Sequence, residues 1–216
     1  MKFDHDNISP LDSRYANKIS ELRENFSESA LIQIRFDIEI EWLLYICINL
    51  PKTFKPLSKQ SIKKITKFKD SFDNKSVLKI KKIESTTNHD VKAVEYYIRD
   101  KFLKDKFLST YTHLIHFGLT SEDINSLSYA HMIKNGISIY IKELDKVNKI
   151  LKNYSRRWAK QPFLARTHGQ AASPSTLGKE FKVFHERINR EILHLKSIKP
   201  LAKFSCLLYT SDAADE

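Results

Sequence analysis

Three clusters of polar residues interrupt an otherwise amphipathic chain, and each carries side chains able to bind an anion or move a proton. The first is Glu84-Ser-Thr-Thr-Asn-His-Asp90, seven polar residues directly before an apolar helical pattern. Hydroxyls, an amide, an imidazole and a carboxylate at a helix start suit an anionic ligand, because the free N–H groups and the helix dipole favour negative charge. Plain capping by Asn88 or Asp90 explains the same residues without a ligand. The second cluster is Thr120-Ser-Glu-Asp123, which follows His113, His116 and Gly118. It has the form of a capping box with Asp in place of Glu or Gln. His113 and His116 are spaced to share a helix face, yet no carboxylate completes a ligand set, and no metal is expected. The third is Arg166-Thr-His-Gly-Gln-Ala-Ala-Ser-Pro-Ser-Thr176, where His168 stands beside Gly169 among hydroxyls. Imidazole titrates near neutrality, so His168 is a candidate general acid or base, with a solvent-facing loop histidine as the plain alternative.

The elements around these clusters read as helices. Leu31, Ile34, Ile38, Trp42 and Tyr45 keep helical spacing over Ser27–Asn49, a second row of Phe36, Ile40, Leu43 and Leu44 widens the stripe, and Pro51 ends it. A weaker helix covers Ser58–Phe72, and another Asp90–Phe102 through Val94, Tyr97 and Ile98. Thr120 opens a long helix to about Tyr154, with Gly136 inside it at a cost of about 1 kcal/mol relative to Ala. Ser173-Pro174 reads as an N-cap followed by proline at the first helical position, starting a helix to about Lys199. No segment has a convincing β period, and no internal repeat or low-complexity linker is visible. The expected fold class is all-α: a small N-terminal helical domain over 1–119, then the truncated start of a long helical-bundle domain over 120–205. A helix of about 25 residues is roughly 37 Å long and cannot bury its whole stripe within so short a chain, so more chain or other subunits are implied.

Composition narrows the function classes. The chain has 216 residues, 41% hydrophobic and 29% charged, with only four glycines and six prolines. That fits a globular helical protein better than a many-stranded sandwich or barrel. No apolar run reaches the ~18 residues of a membrane span, and residues 1–10 lack the apolar core of a secretory signal. Cys47 and Cys206 make neither a disulfide framework nor a zinc site, so a reducing, cytoplasmic setting is expected. Cys47, in an apolar helix, reads as a small core residue. His5, His131, His185 and His194 lie outside the clusters and read as surface or helix-face residues. No phosphate-cradling glycine loop is present. The net charge is +11, and nine of that surplus lies between Lys52 and Lys82, where eleven lysines face only Asp70 and Asp73. A lysine cluster without arginine is a poor base reader and reads as a solvated face. A basic helical nucleic-acid-binding module is the alternative function, and steep salt dependence on generic DNA would reveal it.

Taken together, the blocks carry a family resemblance. Ser9-Pro-Leu-Asp-Ser-Arg-Tyr15, Thr86-Thr-Asn-His-Asp-Val-Lys-Ala-Val-Glu-Tyr96, His116-Phe-Gly-Leu-Thr-Ser-Glu-Asp-Ile-Asn125, Arg166-Thr-His-Gly-Gln170 and Pro174-Ser-Thr-Leu-Gly-Lys-Glu180 resemble the N-terminal part of the bacterial adenylosuccinate lyase family, in the fumarase/aspartase superfamily. The similarity covers residues 1 to about 205. Another lyase of the superfamily, acting on argininosuccinate, is a further alternative, although the Thr86–Tyr96 block favours the first. The resemblance implies a β-elimination that releases fumarate from adenylosuccinate, giving AMP, and from the succinyl-carboxamide ribotide of purine biosynthesis. By matching, His168 is the acid that protonates the departing nitrogen. Arg14 and Tyr15 contact the nucleotide phosphate end, as does the Asn88-His89-Asp90 loop in part, with His89 helping to position the substrate. Thr120 and Ser121 hold a succinyl carboxylate. No cofactor is implied, and the family assembles as homotetramers whose active sites draw on three subunits.

The chain also departs from the family. The base is a serine on a downstream loop with an S-S-x-M-P-x-K-x-N signature, which does not occur here. Ala171 stands where many relatives carry Pro. Residues 206–216, Cys-Leu-Leu-Tyr-Thr-Ser-Asp-Ala-Ala-Asp-Glu, resemble the translation of a transposon-type sequencing-library adapter. They are expected to be an adapter-derived tail that packs poorly, with the natural protein continuing past Ser205 and this chain inactive alone.

Overall fold

The computed structural model describes residues 9–204; the tail expectation for 206–216 lies outside them. The described residues form two compact units, one up to Ile133 together with the segment from Pro200 on, the other Lys134–Lys199.

In the first unit a 3₁₀ turn, Ala16–Lys18, leads into α1 (Ser20–Phe26), α2 (Glu28–Asn49), α3 (Lys59–Asp70), α4 (Asn74–Thr87) and α5 (Asp90–Leu103). A second 3₁₀ turn, Ser109–Leu114, then precedes α6 (Ser121–Arg157), which begins in this unit. Side-chain caps set the starts of α2 and α3, the first residue of each expected span serving as the N-cap. Ser27 accepts from the Ala30 amide at 3.2 Å and Ser58 from the Ser61 amide at 3.0 Å, each such cap adding about 1 kcal/mol. The core lies between α2, α3, α4 and α5. Phe36, Ile40, Leu43, Ile65, Ile80, Ile98 and Phe102 are all buried in it. The Phe36 ring meets Phe68, Phe72 and Tyr97 at centroid distances of 5.1, 4.6 and 6.2 Å, inside the range of favourable aromatic pairs.

Helix α4 is not announced by the sequence, because only Ser76 and Ile80 are buried along it and lysines fill much of the rest. Asp73 caps it, accepting from the Ser76 amide at 2.9 Å. Part of the lysine excess is taken up inside the chain. Lys64 pairs with Asp105, Lys69 with Glu41, and Lys81 with Glu28 and Glu84.

The second unit holds the remainder of α6, an antiparallel hairpin and α7 (Leu177–Ser197). The hairpin corrects two expectations. Residues Pro162–Thr167 (β1) pair with Gln170–Thr176 (β2), Pro162 opposite Thr176 and Thr167 opposite Gln170. The fold class stands as helical, with this one two-stranded exception. Nearly every hairpin residue is exposed or half-buried on both faces, so no in–out alternation exists for the sequence to show. Ser173 and Pro174 lie in β2 and do not start a helix. Pro174 pairs with Leu164, which a two-stranded ribbon permits because each strand is an edge. Helix α7 starts at Leu177, capped by Thr176, whose hydroxyl accepts from the Lys179 amide at 3.2 Å. It packs on α6 through Phe181, which meets Tyr154 and Trp158 at 5.3 Å each. His185 and Asn148 lie 2.6 Å apart across the same pair. A Cβ on Gly178 would sit 2.5 Å from the Ser155 carbonyl oxygen, so only glycine allows this approach.

Candidate active site

Two of the three sequence clusters meet in the first unit. At the α4–α5 junction Asn88 adopts φ 51° as the left-handed end of α4, a conformation that asparagine tolerates better than most residues. His89, rather than Asn88 or Asp90, caps α5, its Nδ1 accepting from the Lys92 amide at 3.3 Å. A neutral ring used in this way keeps its proton on Nε2, which remains a donor. Asp90 accepts from the Val91 amide at 2.8 Å and pairs with Arg35 at 2.7 Å. Burial pushes its carboxyl up, but the Val91 amide and the Arg35 charge outweigh burial and hold it below the usual carboxylate range. Thr86 and Thr87 close α4 instead of forming a loop, so the polar run is the last turn of one helix and the cap of the next.

At the start of α6 the expected capping box forms. The Thr120 amide donates to Asp123 Oδ2 at 2.8 Å and the Asp123 amide donates back to Thr120 Oγ1 at 3.3 Å. Thr120 and Ser121 are half-buried and stand beside the free amides of a long helix. Arg35 joins the two helix starts: one guanidinium nitrogen holds Asp90 and Nε donates to Asn125 Oδ1 at 3.0 Å. Arg14 and Tyr15 lie in the exposed turn before the first 3₁₀ helix, the Arg14 guanidinium 5.5 Å and the Lys18 ammonium 5.8 Å from the Tyr15 ring.

Sequence reasoning passed over Arg35 and Glu39, and weighed His116 only as a metal ligand. His113 is exposed in the 3₁₀ turn, while the His116 ring turns inward, Nδ1 donating to Glu39 Oε1 at 2.5 Å. Among the described residues no group of three or more His, Cys, Asp or Glu side chains is placed to hold a metal. Burial pulls the His116 imidazole down, yet the Glu39 hydrogen bond and the charges of Glu39 and Glu95 prevail and raise it above its ordinary value. A folded-state value above the unfolded one gives stability that is fully present below pH ~6.5 and lost as pH rises through the raised value. The Tm advantage of wild type over His116→Asn, which suits the φ of 62° at this position, should therefore shrink in melts run at successively higher pH. An equal advantage at pH values on both sides would show that His116 carries no linked proton.

His168 lies in the second unit, at the tip of the hairpin. His168 and Gly169 are its two turn residues, at φ 49° and 76°, the sign pattern of a type I′ turn, whose twist matches the strands. The histidine is exposed and held by backbone geometry.

The profile of the family described as "Lyase" matches residues 13–208. The chain is 40% identical over 201 residues to the adenylosuccinate lyase of Buchnera aphidicola subsp. Schizaphis graminum, covering 92% of this chain and 44% of the relative. It is 40% identical to that of Dictyostelium discoideum, covering 89% and 42%, and 39% identical to that of Legionella pneumophila strain Corby, covering 92% and 44%. It thus spans less than half the length of the curated relatives it matches. Among solved structures, the fumarate lyase of Mesorhizobium sp. BNC1 superposes with a TM-score of 0.69 at 20% identity, covering 86% of this chain and 42% of that one. The 3-carboxy-cis,cis-muconate lactonizing enzyme of Pseudomonas putida gives 0.66 at 17%, covering 86% and 41%. At these identities the two structures speak for the helical fold alone. No described helix is long and apolar enough to cross a membrane.

Proposed function

The chain belongs to the lyase family whose profile it matches over residues 13–208, and on that premise we propose that it is the N-terminal part of an adenylosuccinate lyase. The observation that carries this reading is the 40% identity to adenylosuccinate lyases across nine-tenths of the chain, joined to polar groups at two helix starts and a histidine at a hairpin tip. In the proposed reaction a base outside this chain removes a proton from the succinyl β-carbon. The carboxylate next to the carbanion takes up the charge. The C–N bond breaks, His168 donates a proton to the departing nitrogen, and fumarate and AMP result. The succinyl-carboxamide ribotide reacts in the same way. Thr120 and Ser121 hold a succinyl carboxylate with their hydroxyls and the α6 amides, where the helix dipole favours the anion. Asn88, His89 and Asp90 line the nucleotide side with Arg14 and Tyr15, the charge of Asp90 being matched by its pair with Arg35. The reading includes assembly as a homotetramer in the cytoplasm. Exposed Tyr140, Ile150, Phe184 and Leu193 on α6 and α7 support the assembly, being apolar surface suited to further helices.

The test is fumarate release by the purified full-length protein, offered adenylosuccinate and, separately, argininosuccinate. Turnover of the first and not the second is expected. No turnover of adenylosuccinate would end this reading. The 216-residue chain alone should fall at least ~10²-fold below the full-length protein, since a missing general base typically removes a factor of ~10² to 10⁴.

A further inference from the structure

One face of α2 reaches the start of α6 at successive points. Arg35, Glu39 and Trp42 follow i, i+4, i+7 spacing, so they project from the same side of the helix. Arg35 Nε donates to Asn125 in the first turns of α6, at 3.0 Å. Glu39 holds the His116 ring at 2.5 Å, and Trp42 Nε1 donates to the Phe117 carbonyl at 2.8 Å. Between these contacts the chain turns sharply, with His116 at φ 62° and Gly118 at φ 69°, before Thr120 and Ser121. Arg35 meanwhile pairs with Asp90 at the start of α5.

We infer that Arg35, Glu39 and Trp42 are positioning residues through which α2 fixes the start of α6 against the start of α5, and with it the spacing of the two groups that hold the substrate. The inference deepens the proposed lyase function and rests on it for the identity of the substrate.

Burial argues that these groups do more than stabilise. The Glu39 side chain is 0% exposed, and its Oε2 has no hydrogen-bond partner. Its neighbours on α5, Glu95 and Lys92, add one charge of each sign near the His116 ring. Burying a half-satisfied carboxylate is unfavourable, and well-packed apolar residues commonly replace buried ion pairs without loss of stability. What an apolar residue would not supply is a directional tie to a ring that begins a left-handed turn, a conformation that persists only where the surroundings impose it. The guanidinium of Arg35 likewise bridges two acceptors at once, which the single ammonium of lysine does less well.

The experiment uses the full-length protein and the variants Glu39→Gln, Arg35→Lys and Asn125→Ala. If the helix starts shift, the ground-state grip on substrate weakens first. KM for adenylosuccinate should then rise at least ~10-fold for the first two and ~3-fold for the third, with kcat changed less than ~3-fold. A merely stabilising role would lower the folded fraction, reducing apparent kcat at unchanged KM, and that pattern would overturn the inference. Asn125→Ala keeps a helix-favouring residue in α6 and serves if the buried variants do not fold. Amide hydrogen exchange gives a readout independent of turnover: residues 117–123 should exchange at least ~10-fold faster in the variants, with Val94 and Ile98 unchanged. Unchanged exchange at 117–123 would sink the α2 clamp whatever the substrate. A wild type that turns over nothing while the exchange result holds would sink only the lyase reading.

Discussion

With His168 as the proposed general acid, His168→Ala in the full-length protein should lower kcat at least ~10²-fold with a smaller change in KM. A general acid acts where charge develops on the leaving nitrogen, in the transition state, and contributes little to ground-state binding. The fold gives this test unusual cleanness. His168 sits at an exposed hairpin tip, so its ring supports no core, and removing it opens no cavity. The one structural concern is the backbone, since φ is 49° there and alanine tolerates that region poorly. His168→Asn answers it, because asparagine accepts the left-handed turn but cannot deliver a proton near neutral pH. Both variants should lose turnover alike, with circular dichroism unchanged. Arg14→Ala should behave in the opposite way, raising KM at near-constant kcat, because the phosphate contact proposed for Arg14 would be present equally in ground and transition states. A His168→Ala enzyme with near-normal kcat and weakened binding would make His168 a ligand contact and pass the acid role to His89.

What was legible in the sequence follows from where the signals are local. The start of α2 was marked by a wide apolar stripe from Ser27 on, and the start of α6 by Thr120 and Asp123 three residues apart; the helices begin at Glu28 and Ser121, one residue after Ser27 and Thr120. The consecutive polar residues around His89 and Thr120 stood out because they broke a period. The hairpin gave no such signal. Its strands have water on both sides, so period two had no reason to appear, and Ser173-Pro174 mimicked a helix start three residues early. Helix α4 was hidden by lysines around a two-residue buried seam.

Arg35 and Glu39 were missed for a different reason. Apolar residues cover so much of the circumference of α2 that its charged residues cannot all reach water, and Arg35 and Glu39 are 5% and 1% exposed. The sequence contained that clue: two broad apolar rows on one helix leave too narrow a polar face for Arg35, Asp37, Glu39 and Glu41 together. A charge forced inward on such a helix needs a partner from another element. The partners, His116, Asp90 and Asn125, lie within the very blocks that carry the family resemblance. The network joining α2 to those blocks depends on contacts 55 to 90 residues apart in sequence, which no local pattern encodes.

Phe36→Ala should destabilise the protein by about 3–5 kcal/mol, read as a lower denaturant midpoint at unchanged slope. Phe36 is 0% exposed and sits where α2, α3 and α5 converge, its ring against Phe68, Phe72 and Tyr97. Truncation removes the buried ring and also its edge-on and tilted contacts with three aromatic partners, each worth about 0.5–1.5 kcal/mol beyond area. The site can collapse little, because Phe68 also packs on Tyr97 and Phe102 at 5.9 and 6.2 Å and is not free to follow. The matched control is Leu78→Ala on α4. Leu78 is 69% exposed, and alanine is the better helix former, so that change should stay within about 0.5 kcal/mol. The contrast tests whether the α2–α5 core carries the stability of this unit. Because α2 also presents Arg35, Glu39 and Trp42 to the start of α6, loosening Phe36 should secondarily raise KM, with the Asp90 and Thr120 helix starts losing a common support. A Phe36→Ala midpoint no lower than that of Leu78→Ala would mean that this aromatic cluster is not where the unit is held together.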